Sequence, residues 1–379
     1  MKVAVTTLAF CVAALLALGL VMVYSASQAL VNSHTHTEVG GVRMLQMQVL
    51  WCMLGLAACI VMTVLDYGWL KKIVWPMFVG AIVLAALVFV PHVGVRINGA
   101  HRWIRLPGAT FQPSELVKIV LIITLAWYCD RSQRKIDTFR RGIIFPGVII
   151  GSALALVFIE PDRGTTILMV AVSGMMLMVA GVRLPHLLLL ALGGAGALAV
   201  SIFHDPMRRN RIAAWLHPQA HLQDAAHQAQ QGMIAIGSGG VTGLGLGNGL
   251  QKMGYVPEIQ SDFIFANIGE ELGLIATLFV VITFLLIAIC GIYIALNARD
   301  NFGSLLATGI TFLISWQAII NIGVVTSVLP NKGIALPFIS SGGSSLLAML
   351  TCIGILFSIA RLAPARDKIS KSAAEPGDN

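Results

Sequence analysis

The chain has 379 residues, of which 57% are hydrophobic and only 11% charged, and its mean hydropathy is +0.85. A soluble globular chain carries about 25% charged residues, which excludes a soluble fold and predicts one integral membrane domain over residues 1–366, followed by a disordered cytoplasmic tail over 367–379. The formal net charge of +8 does not indicate nucleic acid, because the basic residues lie in short loops between apolar runs and form no continuous basic face.

A membrane-spanning helix needs about 20 mostly apolar residues. Runs of this kind occur in chain order at 5–26, 46–65, 73–91, 115–129, 142–160, 164–181, 184–203, 266–296, 303–328 and 343–362, which predicts an all-α polytopic fold of about ten helices. The fourth run is short and the eighth long. Continuous apolarity, without alternation at period two, excludes a β-barrel. The first run precedes Ser25-Ala26-Ser27, which looks like a cleavage site, but the run is longer than the roughly 7–15 residues of a signal sequence and reads as a retained helix. All six cysteines sit in or at the ends of apolar runs with no CxxC and read as small core residues.

With ten spans both termini share a side. The loop bearing Arg131, Arg134, Lys135, Arg140 and Arg141 and the tail bearing Arg361, Arg366, Lys368 and Lys371 mark that side as cytoplasmic. The connections after spans 1, 3, 5, 7 and 9 then face outward. The longest, about 204–262, shows no obvious structure of its own, and such loops are usually functional.

Candidate chemistry gathers on the outward side. Arg96, Arg102 and Arg105, with Trp103, place guanidinium groups in the connection between spans 3 and 4, suited to bidentate phosphate binding or to anchoring at lipid head groups. Glu115 and Lys118 lie three apart at the start of span 4 and share a helical face, as an internal ion pair or with Lys118 neutralising a phosphate. The run GSGGVTGLGLGNG, Gly237 to Gly249, lacks the GxxxxGK[ST] of a nucleotide loop and permits tight turns and close backbone approach. Asp262 stands directly before span 8, as a general base near the outer surface or as a helix N-cap. Glu270 and Glu271 follow about two turns inside that span; Glu270 shares the Asp262 face, and either carboxylate is equally read as the partner of a buried basic residue. His34 and His36 form a lone HxH in a polar loop, and none of the histidines shows a metal-binding pattern.

Five blocks then give a resemblance: GLVMVYSAS (from Gly19), NGAHRWIRLPGATFQPSELVK (98–118), IEPDRGT (159–165), GLGLGNGLQKMGYVPEIQSDFIFANIGEELG (243–273) and LPNKGIALPFISSGGSS (329–345). Together they resemble the hallmark blocks of the FtsW/RodA family of SEDS (shape, elongation, division and sporulation) proteins, in the family's order and over nearly the whole chain. The forms GLGNGLQKMGYVPE and NKGIALPFIS are more similar to its division branch than to its elongation branch. The resemblance implies a ten-helix peptidoglycan glycosyltransferase that uses lipid II, with Asp262 as its essential acidic residue. It also implies an active cavity holding Arg102, Lys118 and Glu115, and it brings Arg105, Glu270, Lys332 and Ser344 in as substrate-binding residues. A class B penicillin-binding transpeptidase and other division proteins are the implied partners, in the inner membrane. Departures from the family pattern fall at Ser341, Arg163, His227-Gln228 and His101, and leave the proposed acid and base groups intact.

The chemistry that follows is an inverting transfer. The 4-hydroxyl of an acceptor N-acetylglucosamine attacks the anomeric carbon of a donor N-acetylmuramic acid with Asp262 as base, and undecaprenyl diphosphate leaves once Arg102, Lys118 and, as an open alternative, a divalent cation (Mg or Mn) neutralise it. Two rivals stand beside this reading: a lipid II flippase using Glu115, Lys118, Glu160, Glu270 and Glu271, and a scaffold that only recruits other division proteins.

Overall fold

The structure is a computed structural model that describes residues 1–34, 39–97, 100–106, 109–160, 162–218, 227–254, 256 and 259–363; the tail lies outside the described residues. Each of the ten apolar runs is helical. In chain order the helices are α1 (Lys2–His34), α2 (Val39–Val64), α3 (Leu70–Ala86), α4 (Pro113–Ser132), α5 (Phe145–Ile159), α6 (Arg163–Val179), α7 (Leu184–Phe203), α8 (Pro206–Leu216), α9 (His227–Gly239), α10 (Ile264–Leu296), α11 (Asn301–Val325) and α12 (Gly343–Leu362). Among the described residues seven segments are long and apolar enough by themselves to cross a bilayer. Helix α4 falls short through its charges, and α6 and the apolar stretch of α7 through their length.

Helices α4, α11 and α12 form the centre. Nearly every residue of α4 is buried, whereas α2, α3 and the second half of α10 expose one apolar face each, as lipid contact requires. Small residues set the close contacts. A Cβ on Gly309 of α11 would lie 2.6 Å from Ile122 and 2.7 Å from the Met176 sulfur, and one on Gly354 of α12 would meet the Cys59 backbone. All six cysteines are buried and free.

Contacts between connections sort into two ends of the bundle. At one end Lys71 bridges Asp130 (3.1 Å) and Asp300 (2.7 Å), Tyr67 donates to Asp300, Arg183 pairs with Asp137, and Arg361 donates to the Val64 carbonyl. At the other end the connections α3–α4, α5–α6, α9–α10 and α11–α12 meet. Among the described residues this grouping agrees with helices that pass alternately from one end to the other.

Two elements depart from a plain helical bundle. The α3–α4 connection is a three-stranded antiparallel sheet, β1 (Gly94–Ile97), β2 (Ala100–Leu106) and β3 (Ala109–Phe111), in that order, with Val95 opposite Trp103 and Ile104 opposite Phe111. The connection expected over 204–262 without structure of its own carries α8 and α9. Helix α10, the long eighth run, breaks at Gly273 (φ 76°), a conformation that favours glycine. Glu270 and Glu271 therefore end a short segment, 264–272, that precedes the longer apolar part.

Candidate active site

The site is organised by two polar residues of an otherwise apolar helix. Gln317 and Asn321 lie four apart on α11 and so share a face, and each is only 1% exposed. Gln317 accepts from Lys118 Nζ at 3.0 Å through Oε1 and donates from Nε2 to the Ala335 carbonyl at 2.9 Å. Asn321 Nδ2 donates to the carbonyls of Ile334, at 2.6 Å, and Asp262, at 2.8 Å. One strip of α11 thus fixes the start of α4, the turn before α10 and the segment before α12 against one another.

Lys118 is buried, and Glu115, one turn earlier, pairs with it at 2.9 Å. A buried ammonium persists only when paired and hydrogen-bonded, and Glu115 and Gln317 meet that need. The internal ion pair read from the sequence is therefore present, and Gln317 adds the partner that spacing alone did not reveal.

Asp262 is half-buried. The cap position of α10 falls on Phe263, one residue after Asp262. Its carboxylate packs on Gly333: a Cβ built there would lie 2.5 Å from Oδ2. The flanking backbone is fastened to the same segment. Ser340 Oγ donates to the Ser261 carbonyl, and the Ser341 N–H donates to that of Gln260 at 2.9 Å.

Arg102, on β2, reaches the start of α6. Its Nε donates to the Glu160 carbonyl at 3.1 Å, and Nη1 stands 4.0 Å from Asp162. Asp162 caps α6 through the Thr165 N–H and also accepts from the Thr165 hydroxyl and from Gln112. Gly164, beside that cap, packs on Ile334, with a Cβ there only 2.9 Å from Cγ1. Asp262 thus touches residues 333–335 directly, Lys118 is joined to them through Gln317, and Arg102 is joined through the start of α6. The Glu160 side chain is wholly buried, and among the described residues neither of its oxygens has a hydrogen-bond partner.

The other expected residues are more scattered. Arg105 is exposed on the sheet, and the backbone of Arg96 lies in β1. Lys332 is half-buried next to Gly333. Ser344 is buried in the first turn of α12 and, among the described residues, makes no hydrogen bond to the Asp262 cluster. Glu270 is taken up by the glycine-rich loop, accepting from the N–H groups of Leu250 at 2.8 Å and Gln251 at 3.2 Å. Glu271 pairs with Lys252, the buried basic partner expected for one of the two carboxylates, though it comes from a loop and not from a neighbouring helix. The Arg163 guanidinium lies over the Phe158 ring, 3.0 Å from its centroid. Gln112, Asp162, Gln317 and Asn321 were missed as site residues. The signal for the last two was present, as polar residues at helical spacing in an apolar run.

The fold and site define a multi-pass membrane protein with acidic and basic side chains gathered at one end of its helices. The family model described as cell cycle protein (FtsW/RodA/SpoVE) matches residues 6–364, and the chain belongs to that family. A probable peptidoglycan glycosyltransferase FtsW of Geobacter metallireducens is 40% identical over 346 residues, 91% of this chain and 92% of the relative. The stage V sporulation protein E of Bacillus subtilis is 38% identical over 347 residues, 92% and 94% of the two chains. Among solved structures, a chain of a peptidoglycan synthase complex that coordinates polymerization and crosslinking superposes with a TM-score of 0.76 at 25% identity, covering 94% of this chain and 97% of that one. The rod shape determining protein RodA of Thermus thermophilus gives 0.67 at 26% identity, covering 94% and 96%.

Proposed function

We propose that this chain is a peptidoglycan glycosyltransferase that polymerises lipid II into β-1,4 glycan on the extracytoplasmic side of the inner membrane during division, with both termini cytoplasmic. The observation that carries the reading is that the segment 333–335 touches Asp262 and is linked to Lys118 through Gln317 and to Arg102 through the start of α6, in a chain 40% identical to a probable peptidoglycan glycosyltransferase. Asp262 accepts the proton of the acceptor 4-hydroxyl as its oxygen bonds to the anomeric carbon of the donor. The bond from that carbon to the diphosphate breaks, and its electron pair leaves with undecaprenyl diphosphate. Attack opposite the leaving group inverts an α-linked diphosphate into a β-glycoside.

Arg102, its side chain 30% exposed, offers a fixed positive charge near the surface, and Lys118 a buried one; these stabilise the departing diphosphate, so no general acid is required. Among the described residues no group of three or more His, Cys, Asp or Glu side chains could hold a metal ion by itself; a divalent cation (Mg or Mn) would instead be shared between a carboxylate and the diphosphate oxygens of the substrate, where it would neutralise the leaving group. A class B penicillin-binding transpeptidase is the proposed partner, a reading supported by the structural likeness to a chain of a synthase complex. The test is gel analysis of glycan from labelled lipid II by the protein purified with its cognate transpeptidase. Asp262→Asn is expected to lower polymerisation by at least about 100-fold, the scale of a lost general base. No polymer from the folded native complex would turn the reading toward lipid transport or scaffolding.

A further inference from the structure

The break in α10 leaves backbone groups that the helix cannot satisfy, and the glycine-rich loop takes them. The N–H groups of Leu244 and Gly245 donate to the carbonyls of Glu270 and Glu271, both at 3.0 Å, and those of Leu274 and Ile275 donate to Gly240 and Val241, at 3.0 and 3.3 Å. Such close docking needs bare backbone on both sides. A Cβ on Gly239 would strike the Gly269 carbonyl, one on Gly243 that of Glu271, and one on Gly273 the Gly243 nitrogen.

The side chains then lock what the backbone aligns. Glu271, with no exposed surface, accepts from Lys252 Nζ at 2.6 Å, from Ser25 Oγ of α1 at 2.7 Å and from the Gly247 N–H at 3.1 Å. Lys252 Nζ donates to Ser25 Oγ at 2.9 Å, closing a three-residue ring that is buried throughout. Asp262 sits at the opposite end of the short segment 264–272 whose last residues carry this ring.

We propose that Ser25, Lys252 and Glu271 form a buried latch that positions Asp262 by seating the glycine-rich loop in the broken turn of α10. The inference rests on the glycosyltransferase reading, and these three are positioning residues that touch no substrate. With the far end of segment 264–272 clamped to α1 and the loop, and the turn 260–262 fastened to residues 334–341, Asp262 is held from both ends. Releasing one end lets the segment rotate, and a displacement of about 1 Å at a reacting group costs roughly 100-fold in rate.

The test combines polymerisation kinetics with hydrogen exchange at residues 244–252 in the full-length protein with its transpeptidase. Lys252→Met leaves Glu271 buried without its cation; faster loop exchange and a roughly 10- to 100-fold lower kcat at little-changed KM are expected. The double change Lys252→Met with Glu271→Gln removes both charges, keeps the volume, and restores kcat to within a few-fold with slow exchange. Should Lys252→Met fail to fold, Ser25→Ala, which removes one hydroxyl, is expected to speed loop exchange and lower kcat several-fold. Unchanged exchange and kcat in the folded single variants overturn the latch. A folded double variant as slow as Lys252→Met also overturns it, because the Lys252 charge would then act directly. If the native complex makes no polymer, the proposed function falls, while loop exchange across the variants still decides whether the latch exists.

Discussion

One methyl group added at Gly333 tests the role of Asp262 without altering its chemistry. A Cβ at that position lies 2.5 Å from Oδ2, where ordinary contact begins at 3.4 Å, so the oxygen must retreat by about 0.9 Å. Gly333 has no positive φ, so alanine introduces no backbone strain of its own, and its surface exposure leaves room for the fold to accept the change. The cost therefore falls on the carboxylate. At the scale set by effective molarity, a shift near 1 Å lowers kcat by roughly 100-fold, equivalent to about 2.7 kcal/mol. The assay is initial-rate polymerisation of labelled lipid II, read with the melting temperature of the same preparation. Gly333→Ala is expected to approach Asp262→Asn in activity while melting within a few degrees of the native protein. Native kcat in Gly333→Ala would refute the reasoning, because a base that moves this far without consequence is not positioned by Gly333.

Two further outcomes follow from the buried charges. Lys118→Met leaves Glu115 buried without its cation and is expected to cost roughly 3–5 kcal/mol, seen as a lower melting temperature; adding Glu115→Gln recovers stability but not polymerisation, because the phosphate-neutralising charge is still missing. At the other end of the bundle, hydrogen bonds from Lys71, Tyr67 and the Gly303 N–H outweigh the desolvation of Asp300 and hold its carboxyl below the usual range. A carboxyl depressed on folding contributes stability that is present above its unfolded value and lost as pH falls through the folded one. Melting temperature is therefore expected to decline below about pH 4, and Asp300→Asn to remove that part of the decline along with the stability.

The architecture was legible because its cause is local. Hydrocarbon solvent forces each crossing segment to be both apolar and helical, so ten apolar runs were enough to locate ten helices. Asp262, Lys118 and Arg102 could be singled out as candidates, since charge beside or inside an apolar run is costly and stands out. The three-stranded sheet was hidden, because 94–111 is short and mixed in character and its pairing is made between segments. Helices α8 and α9 escaped for a related reason: both are short, α8 carries Arg208, Arg209 and Arg211, and α9 is only moderately apolar, so a search for bilayer-length runs passes over them.

By itself the sequence determined a multi-pass helical protein, the end of the bundle at which charged residues gather and the residue types available there. Tertiary structure alone decided which of these act together. It assigned Glu270 and Glu271 to holding a loop, because the break at Gly273 turns their carboxylates toward that loop's N–H groups and Lys252. It brought in Gln317 and Asn321, whose part depends on carbonyls and an ammonium supplied by segments distant in sequence. Hydrogen bonding to a distant partner leaves no period or composition to read, whereas burial in hydrocarbon marks every residue that must endure it.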